Sequence, residues 1–395
     1  MNCRLIYLHR LQFSGSSQTI QVLRDYYSLL RHGHEVDLFY RAPQAMSASE
    51  LGAWVSRHGL ESGTGLRFHW VSEGFGGKRR LRRMAAALAA SSGLPVVLVV
   101  RTMDHARMAL ALRDRRHGQP IRVIIELHEG AFPHMVYREQ GRPLRAWLSL
   151  RTEKQVLRGV DGIIATVGSQ VALLDEVFPK HARVAVLPNG VDLQAFAPES
   201  AAGKIADGNF HLRYAGQFLA WKNTDIMIEA LPHLPRNVVL DLAGGKPGSE
   251  AQTRAAIEAV ARRCGVEQRV RYEGFLSPKN VPAFLMQADA LLLPLGKNVQ
   301  SRYFTSPMKL FEYAASGAPM IVARQPTTMS LVRDGEEALL VSPDSPREFA
   351  DAVSRLIRSP AEAARLAARA REWVRPYSYN ERAQRYQNFL DQILG

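Results

Sequence analysis

The sequence predicts an α/β protein made of two doubly wound domains that face a central cleft. Three observations predict this fold. The chain is 395 residues long, which is enough for two separate cores, and its composition is that of an ordinary globular protein. Short apolar strands alternate with helical segments in two successive series. A stretch of low hydrophobicity at 195–208 separates the two series and predicts a linker.

Both series consist of short apolar runs, which are typical of parallel strands buried on both faces. A Gly/Ser loop at 13–17 follows the first run and precedes a helical pattern over 18–31. In the first series the predicted strands are 4–8, 35–40, 95–100, 122–127, 162–167 and 184–188. In the second they are 210–216, 238–244, 270–274, 290–294, 320–323 and 338–341, before a helical tail. Such folds bind ligands at the carboxyl ends of their strands.

The segment 303–319, YFTSPMKLFEYAASGAP, predicts a helix with a defined start and end. Ser306 is a favourable N-cap, Pro307 suits the first helical position, and Gly317 can close the helix. The free N–H groups of a helix start attract phosphate, and Glu312 follows about 9 Å along the axis. A nucleoside diphosphate could place its phosphates at the helix start and its ribose on Glu312. The alternative is a core helix with one exposed glutamate.

Two strand ends carry further candidate residues. Gly216, in the TyrAlaGlyGln sequence that ends a strand, would let the backbone approach a phosphate, and Lys222 would supply charge. His128 follows the strand 122–127, where a neutral imidazole could hydrogen-bond a sugar hydroxyl or the reacting centre. Glu126 and Glu129 either orient this ring or are solvated. The alternatives are a surface lysine and a structural histidine.

The formal net charge of +14 is unevenly distributed. Residues 1–195 contain 26 Lys and Arg against 16 Asp and Glu, whereas the remainder contains 25 against 21. This surplus indicates an anionic partner, such as a membrane surface, a nucleic acid or a phosphorylated substrate, unless the basic faces are merely solvated. The segment 78–84, KRRLRRM, predicts a basic amphipathic helix that either lies on anionic lipid or faces solvent.

Several classes of function lack support in the sequence. The two cysteines fit no metal or redox pattern, and no Asp-x-Asp pair or His/Cys cluster has the spacing of metal ligands. Neither a P-loop nor a GxGxxG fingerprint occurs. No apolar run approaches the roughly 20 residues that span a bilayer, and the first apolar run is too short for a signal peptide. We therefore expect a cytoplasmic protein, soluble or peripheral on the inner face of the plasma membrane, without a metal or other cofactor.

Together these motifs resemble the family 4 glycosyltransferases, which have the GT-B fold of two Rossmann-like domains. The resemblance covers nearly the whole chain and is strongest between PNGVD at 188–192 and about residue 341. It rests on PNGVD, the 216–222 segment, AlaGlyGly at 243–245, TyrGluGlyPhe at 272–275 and SPMKLFEYAASGAP at 306–319. It implies an acceptor-binding domain over 1–194, a nucleotide-sugar-binding domain over 209–375, and a helix over 376–395 that returns to the first domain.

The resemblance implies a role for individual residues. Lys222 matches the diphosphate-binding lysine, Glu312 the ribose-binding second glutamate of the E-x7-E motif, and His128 a histidine at the sugar. These three are the expected catalytic residues. Lys309 of the SP-x-K sequence is an additional candidate that either adds charge or points to solvent. The other expected positions are the donor diphosphate contacts Gly15, Ser16, Gly216, Gln217, Thr305 and Ser306, and the nucleobase region Gly274, Phe275 and Leu276.

Two positions depart from the family pattern. Gln217 stands where an arginine is common, so a bidentate phosphate contact is lost and Lys222 carries more of that task. Phe304 stands where the first glutamate of E-x7-E would fall, and that glutamate usually contacts the donor sugar. The motifs therefore predict a nucleotide site without specifying the sugar.

The expected function is a retaining, metal-independent transfer of a sugar from a nucleoside-diphosphate sugar to an acceptor hydroxyl, in bacterial cell-envelope glycan or glycolipid synthesis. The leaving diphosphate would be stabilised electrostatically and would take the acceptor proton in a front-side attack. The expected partners are the donor, a sugar or lipid-linked acceptor and an anionic membrane surface, rather than nucleic acid. Domain closure would use 195–208 as a hinge. The alternatives are a catalytically weak protein of this fold that binds membrane or nucleic acid, and a sugar-nucleotide 2-epimerase.

Overall fold

The chain divides into two compact units, each built on one parallel β-sheet. The computed structural model describes residues 1–12, 17–57, 60, 65–72, 76–115, 120–128, 132–197 and 205–395. The first unit comprises 1–190, 303–305 and 379–395, and the second comprises 191–302 and 306–378. Parallel strands joined by helices in both units confirm the predicted α/β fold.

The first unit contains a seven-stranded sheet in the order β3-β2-β1-β4-β5-β6-β7. Its strands are β1 (Arg4–Gln12), β2 (Glu35–Arg41), β3 (Arg67–Val71), β4 (Val96–Val100), β5 (Ile121–Leu127), β6 (Gly162–Ala165) and β7 (Arg183–Val186). Its helices are α1 (Ser17–Arg31), α2 (Ala48–Arg57), α3 (Gly76–Ala90), α4 (Met103–Arg113), α5 (Pro133–Glu139), α6 (Pro143–Gly159) and α7 (Gly168–Val177). Every residue of β4 and β6 is buried, as expected for strands covered on both faces.

The second unit contains a six-stranded sheet in the order β10-β9-β8-β11-β12-β13. Its strands are β8 (Phe210–Gly216), β9 (Val238–Gly244), β10 (Val270–Tyr272), β11 (Ala290–Leu293), β12 (Met320–Ala323) and β13 (Leu339–Val341). Its helices are α8 (Ile226–Glu229), α9 (Glu250–Cys264), α10 (Val281–Met286), α11 (Met308–Ser316), α12 (Pro326–Met329), α13 (Pro346–Arg358) and α14 (Pro360–Trp373). No helix in the described ranges combines the length and hydrophobicity needed to cross a bilayer.

The last helix, α15 (Tyr379–Leu394), packs against α1 in the first unit. Arg382 on this helix is only 1% exposed. Its Nε donates to the Pro188 carbonyl at 2.9 Å, and its Nη1 lies 3.2 Å from the Asp25 carboxylate. Removing either partner would leave a buried charge without compensation, so this pair fixes the position of the helix.

Two strands differ from the sequence prediction. β3 was not predicted, because only one of its five residues is fully buried and it contains no continuous apolar run. β7 was predicted as a strand buried on both faces, but it is an edge strand whose Arg183 and Val186 are exposed. Edge strands pack on fewer neighbours, so their sequences resemble loops more closely.

The order of both sheets reverses at one point, between β1 and β4 in the first unit and between β8 and β11 in the second. Connections leave such a point in opposite directions and open a crevice at the carboxyl ends of the strands. The residues that follow β1, β4, β8 and β11 are therefore the first places to look for a ligand site.

Candidate active site

Glycines bring the carboxyl ends of β8 and β9 into close backbone contact. Gly216 pairs with Gly244 in the sheet, and Gly245 donates its backbone N–H to the Gly216 carbonyl at 2.9 Å. Gly244 has a φ of +117°, and a Cβ at this position would overlap the Gly216 backbone. Side chains here would separate the two strand ends, so this close approach requires glycine.

The Lys309 side chain reaches back to Gly216, at the carboxyl end of β8. Lys309 lies in the first turn of α11, and a Cβ on Gly216 would collide with its Cε and Nζ atoms. Its ammonium lies 5.6 Å from the Tyr214 ring centroid. Burial lowers the pKa of Lys309, and the Glu312 carboxylate three residues further on opposes that shift. The side chain therefore places a partly desolvated positive charge at the end of β8.

The turn that carries Lys222 is fixed by hydrogen bonds to the loop after β11. Lys222 ends a short 3-10 turn, and Asn223 follows in the left-handed conformation with a φ of +54°. The Trp221 carbonyl accepts hydrogen bonds from the Gly296 backbone at 3.2 Å and from the Asn298 side chain at 2.7 Å. The Lys222 ammonium lies 5.2 Å from the Trp221 ring centroid. This turn thus holds Lys222 next to the reversal point of the second sheet.

Helix α11 starts one residue later than predicted. Pro307 occupies its cap position without a side-chain capping hydrogen bond, and the first helical residue is Met308. The prediction of Ser306 as the N-cap is therefore wrong, because the extended ψ of Pro307, 111°, keeps that residue out of the helix. Gly317 ends the helix in the left-handed conformation, as predicted. Glu312 lies half-buried in the middle of the helix.

Phe304 lies in an aromatic cluster of the first unit. It ends a π-helical turn and is 3% exposed. Its ring centroid is 5.5 Å from that of Phe132, which in turn stacks on Phe178 at 5.4 Å. A glutamate in this position would bury a carboxylate among aromatic rings, which is unfavourable. The packing of Phe304 therefore explains why the first glutamate of the motif is replaced here.

The predicted nucleobase region follows β10 and adjoins the glycines at the ends of β8 and β9. Gly274 accepts a hydrogen bond from the Gly244 backbone at 2.7 Å and has a φ of +79°. Phe275 is 37% exposed, whereas Leu276 packs against the apolar core of the second unit. Gln217 is exposed, so its side chain is open to a ligand at this edge. An exposed aromatic ring in such a place offers a stacking surface for a base.

In the first unit, His128 follows β5 within a buried cluster of charged groups. Its Nε2 lies 3.4 Å from Glu126 Oε2, and Arg101 donates from Nε to the same oxygen at 3.3 Å. Burial and the nearby Arg101 lower the pKa of His128 to about 4. Burial alone would raise the pKa of Glu126, but His128 and Arg101 hold it at about 2. His128 is therefore a neutral ring at pH 7, beside an ionised carboxylate, and can hydrogen-bond a hydroxyl.

The remaining predicted positions divide between the two units or fall outside the described residues. Gly15 and Ser16 belong to 13–16 and Glu129 to 129–131, which the structure does not describe. Thr305 is grouped with the first unit and Ser306 with the second. No group of three or more His, Cys, Asp or Glu side chains in the described part of the chain could hold a metal ion.

Arg101 was missed by the sequence analysis. It is 3% exposed and follows β4 directly, at the same edge of the sheet as His128. Both Nη atoms of Arg101 lack a hydrogen-bond partner among the described residues. A cation placed immediately after a fully apolar strand was a usable signal, because parallel strands end at a common edge.

Comparison with known proteins identifies the family of both units. The profile described as glycosyl transferases group 1 matches residues 209–359, and that of a glycosyl transferase 4-like domain matches residues 18–190. The D-inositol 3-phosphate glycosyltransferase of Xylanimonas cellulosilytica is 28% identical over 243 residues, which cover 58% of this chain and 57% of that protein. The protein of the same name from Nocardiopsis dassonvillei is 28% identical over 236 residues, covering 56% and 54%. The chain thus spans little more than half the length of these relatives.

Solved structures with a similar fold cover the chain throughout. HepE of Anabaena in complex with UDP has a TM-score of 0.73 at 17% identity, over 99% of this chain and 100% of that chain. Sucrose-phosphate synthase from Thermosynechococcus elongatus has a TM-score of 0.77 at 20% identity, over 100% and 99%. These likenesses support the fold, while the two profiles cover most of both units. The chain therefore belongs to the group 1 glycosyltransferases of family 4 and has the GT-B fold.

Proposed function

We propose that this enzyme is a retaining glycosyltransferase that uses a uridine diphosphate sugar and needs no metal ion. The observation that carries the proposal is the Lys309 ammonium beside Gly216, in the unit that the group 1 profile matches. A positive charge held in a partly desolvated place suits a diphosphate leaving group. Uracil is the first base to consider, because HepE, which shares the fold, was solved with UDP and with UDP-glucose.

In the proposed reaction, the bond between the sugar C1 and the donor phosphate oxygen breaks while the acceptor oxygen bonds to C1 on the same face. The acceptor proton passes to the released phosphate oxygen. Lys222 and Lys309 stabilise the negative charge that develops on the diphosphate, in place of a metal ion. Glu312 accepts hydrogen bonds from the ribose hydroxyls, Phe275 stacks on the base, and His128 hydrogen-bonds a sugar hydroxyl.

The acceptor in this proposal is a phosphorylated polyol or a lipid-linked sugar of cell-envelope glycan or glycolipid synthesis. The relatives named D-inositol 3-phosphate glycosyltransferase support the first of these. The excess of basic residues in the first half of the chain supports the first, and equally the second when a phosphate links the sugar to the lipid, since both are then anionic. D-inositol 3-phosphate is therefore the first acceptor to test.

The proposed peripheral contact with anionic lipid is best supported at α6. Leu144, Trp147 and Leu148 are 70%, 52% and 52% exposed and share one helical face. The same helix and its start expose Arg142, Arg145 and Arg151. Apolar residues framed by arginines are typical of helices that lie in a lipid interface. We call these six residues the α6 surface.

The decisive experiment replaces Lys222 and measures transfer. Lys222→Ala should lower kcat/KM by roughly 100-fold or more, since one charge on the leaving diphosphate is lost. Arg236→Ala is the matched control, because it removes an exposed cation that comes just before β9, at the amino ends of the strands of the same sheet. The assay follows nucleotide release after a thermal-shift panel of UDP-, GDP-, ADP- and dTDP-sugars has identified the donor. Near-normal turnover of Lys222→Ala would refute the proposed site.

A further inference from the structure

The first unit contains a cavity at the carboxyl end of β1. Its volume is about 310 Å³, and it opens beside the reversal point between β1 and β4. It is lined by the last four residues of β1, one residue each from α1 and α4, and the last residue of β2: His9, Arg10, Leu11, Gln12, Thr19, His105 and Arg41. None of these lining residues is acidic. The two charged side chains of the lining, Arg10 and Arg41, are therefore both cationic.

An irregularity in β1 lies where the strand enters the cavity. The pairing of β1 with β2 is regular up to Tyr7, which faces Leu38, but the next residue of β2, Phe39, faces Arg10. Leu8 and His9 of β1 therefore have no paired residue in β2. Such a bulge bends a strand and re-aims its side chains, which would otherwise alternate between the two faces. The bulge turns both His9 and Arg10 towards the cavity.

Three nitrogen atoms of the lining residues are buried without a hydrogen-bond partner in the described part of the chain: His9 Nδ1, Arg41 Nε and His105 Nε2. His105 contacts the Thr102 hydroxyl through both its backbone and its ring. Its backbone N–H donates to the Thr102 hydroxyl at 3.3 Å, and this hydroxyl lies 3.0 Å from His105 Nδ1. When the hydroxyl donates to Nδ1, the neutral ring carries its proton on Nε2. Buried donors without partners reduce stability, and an oxyanion that accepts from them would reverse that loss.

The charge of the cavity comes from its two arginines. Burial lowers the pKa of His9 to about 3 and that of His105 to about 4, so both rings are neutral at pH 7. Arg10 and Arg41 contribute two guanidinium groups to the lining. At the outer side of His105, Lys78 and Asp104 form an exposed pair at 3.1 Å and offset one another. Two guanidinium groups, and two neutral imidazoles that can each carry the proton on the unpaired nitrogen, match the two charges and several acceptor oxygens of a phosphate better than a carboxylate.

We propose that this cavity binds the phosphate group of the acceptor, which Arg10 and Arg41 hold while His9 and His105 donate hydrogen bonds. The inference rests on the proposed function and adds the residues that select a phosphorylated acceptor. The phosphate belongs either to a polyol phosphate such as D-inositol 3-phosphate or to a polyprenyl phosphate lipid, and the same residues would bind both. The cavity lies on the β2 side of the reversal point, and none of its lining residues belongs to the second unit.

The first experiment measures phosphate binding without any transfer reaction. Isothermal titration with inorganic phosphate should give binding to the wild type and at least 10-fold weaker binding to Arg41→Gln and to His105→Phe. Arg79→Gln, which removes an exposed arginine from α3, should bind as the wild type does. Thermal unfolding identifies which variants are folded. Equal binding by the wild type and by folded Arg41→Gln and His105→Phe would overturn the proposal, even if the enzyme proves to be a glycosyltransferase.

The second experiment compares acceptors that differ only in the phosphate. With D-inositol 3-phosphate, or with a polyprenyl phosphate acceptor in vesicles, Arg41→Gln should raise the acceptor KM at least 10-fold and change kcat less than 3-fold. With unphosphorylated inositol at saturating concentration, its rate should equal that of the wild type. Hydrolysis of the nucleotide sugar without acceptor should be unchanged, which separates this proposal from the donor site. An unchanged KM for every phosphorylated acceptor would overturn it.

Discussion

Lys309 holds a positive charge where the protein environment disfavours it. Burial lowers the pKa of its ammonium, while Glu312 and the Tyr214 ring compensate only in part. In the ligand-free protein this desolvation reduces stability. Groups with perturbed pKa values are enriched at functional sites, because a ligand of opposite charge offsets the loss. A donor diphosphate at Gly216 would be such a ligand.

Lys309→Met should therefore separate stability from activity. Without nucleotide, the melting temperature should stay the same or rise, because methionine keeps most of the volume and removes the desolvated charge. The kcat/KM for transfer should fall roughly 100-fold or more, because the leaving diphosphate loses a fixed charge. Differential scanning fluorimetry and a nucleotide-release assay measure the two effects. Arg236→Met should alter neither, and wild-type turnover by Lys309→Met would contradict the proposed role.

At the scale of single residues, the sequence predicts which side chains could bind the donor but not what surrounds them. Lys309 and Gly216 are far apart in the chain, and only the topology of the second sheet brings them together. Ser306 satisfies the local preference for an N-cap, yet the extended backbone of Pro307 moves the helix start by one residue. The replacement of glutamate by Phe304 is visible in the sequence, but its cause, the contact with Phe132, requires the tertiary structure.

At the scale of elements, α3 and α6 show that charge alone does not identify a lipid-binding surface. Both helices are basic, and the sequence analysis singled out only α3. Leu81, Ala85 and Ala89 of α3 are buried, and none of the large apolar side chains of this helix is exposed. On α6 large apolar residues are exposed beside the arginines, and the Arg151 guanidinium lies 4.9 Å from the Trp147 ring centroid. The sequence shows helical periodicity in both α3 and α6, but it does not show which face of each helix packs against the first unit.

The double change Trp147→Ser and Leu148→Ser should weaken binding to vesicles that contain anionic phospholipid by at least 10-fold. Burying each side chain contributes about 1.5 kcal/mol or more, so even partial insertion of both accounts for this factor. Arg79→Gln with Arg83→Gln on α3 is the comparison, because it removes two exposed charges and no apolar contact. Co-sedimentation with vesicles measures the binding. Equal binding by wild type and the α6 variant would exclude the α6 surface as the contact.

At the scale of the whole molecule, buried histidines make the stability of the first unit depend on pH. Burial lowers the pKa of His9 to about 3 and of His105 and His128 to about 4, and shifts His34 in the same direction. These rings stay neutral in the folded chain below pH 6.5, where the unfolded chain protonates them. The unfolded state then binds more protons, so stability falls as the pH drops. Burial raises the pKa of Asp25 to about 6, which offsets part of this loss.

Several charged groups face these rings from the neighbouring elements. Arg101 faces both His9 and His128, and Arg382 on α15 also faces His128. These cations disfavour a second positive charge, whereas Glu126 favours one on His128. Glu126 itself, with its pKa held at about 2, contributes stability that is lost only below about pH 4.5. Between pH 7.0 and 5.5 the histidines therefore determine the sign of the change.

From pH 7.0 to 5.5, the free energy of opening of the first unit should fall by about 3 kcal/mol, which is the histidine contribution less that of Asp25. Hydrogen exchange of β4 and β5, corrected for the pH dependence of intrinsic exchange, measures this quantity in the intact chain. His128→Gln should make the dependence on pH shallower, whatever its effect on absolute stability, because one of the titrating groups is removed. His233→Gln, which changes an exposed histidine, should leave it as in the wild type. Protection that is constant or rises on acidification would show that these rings are not held neutral in the folded protein.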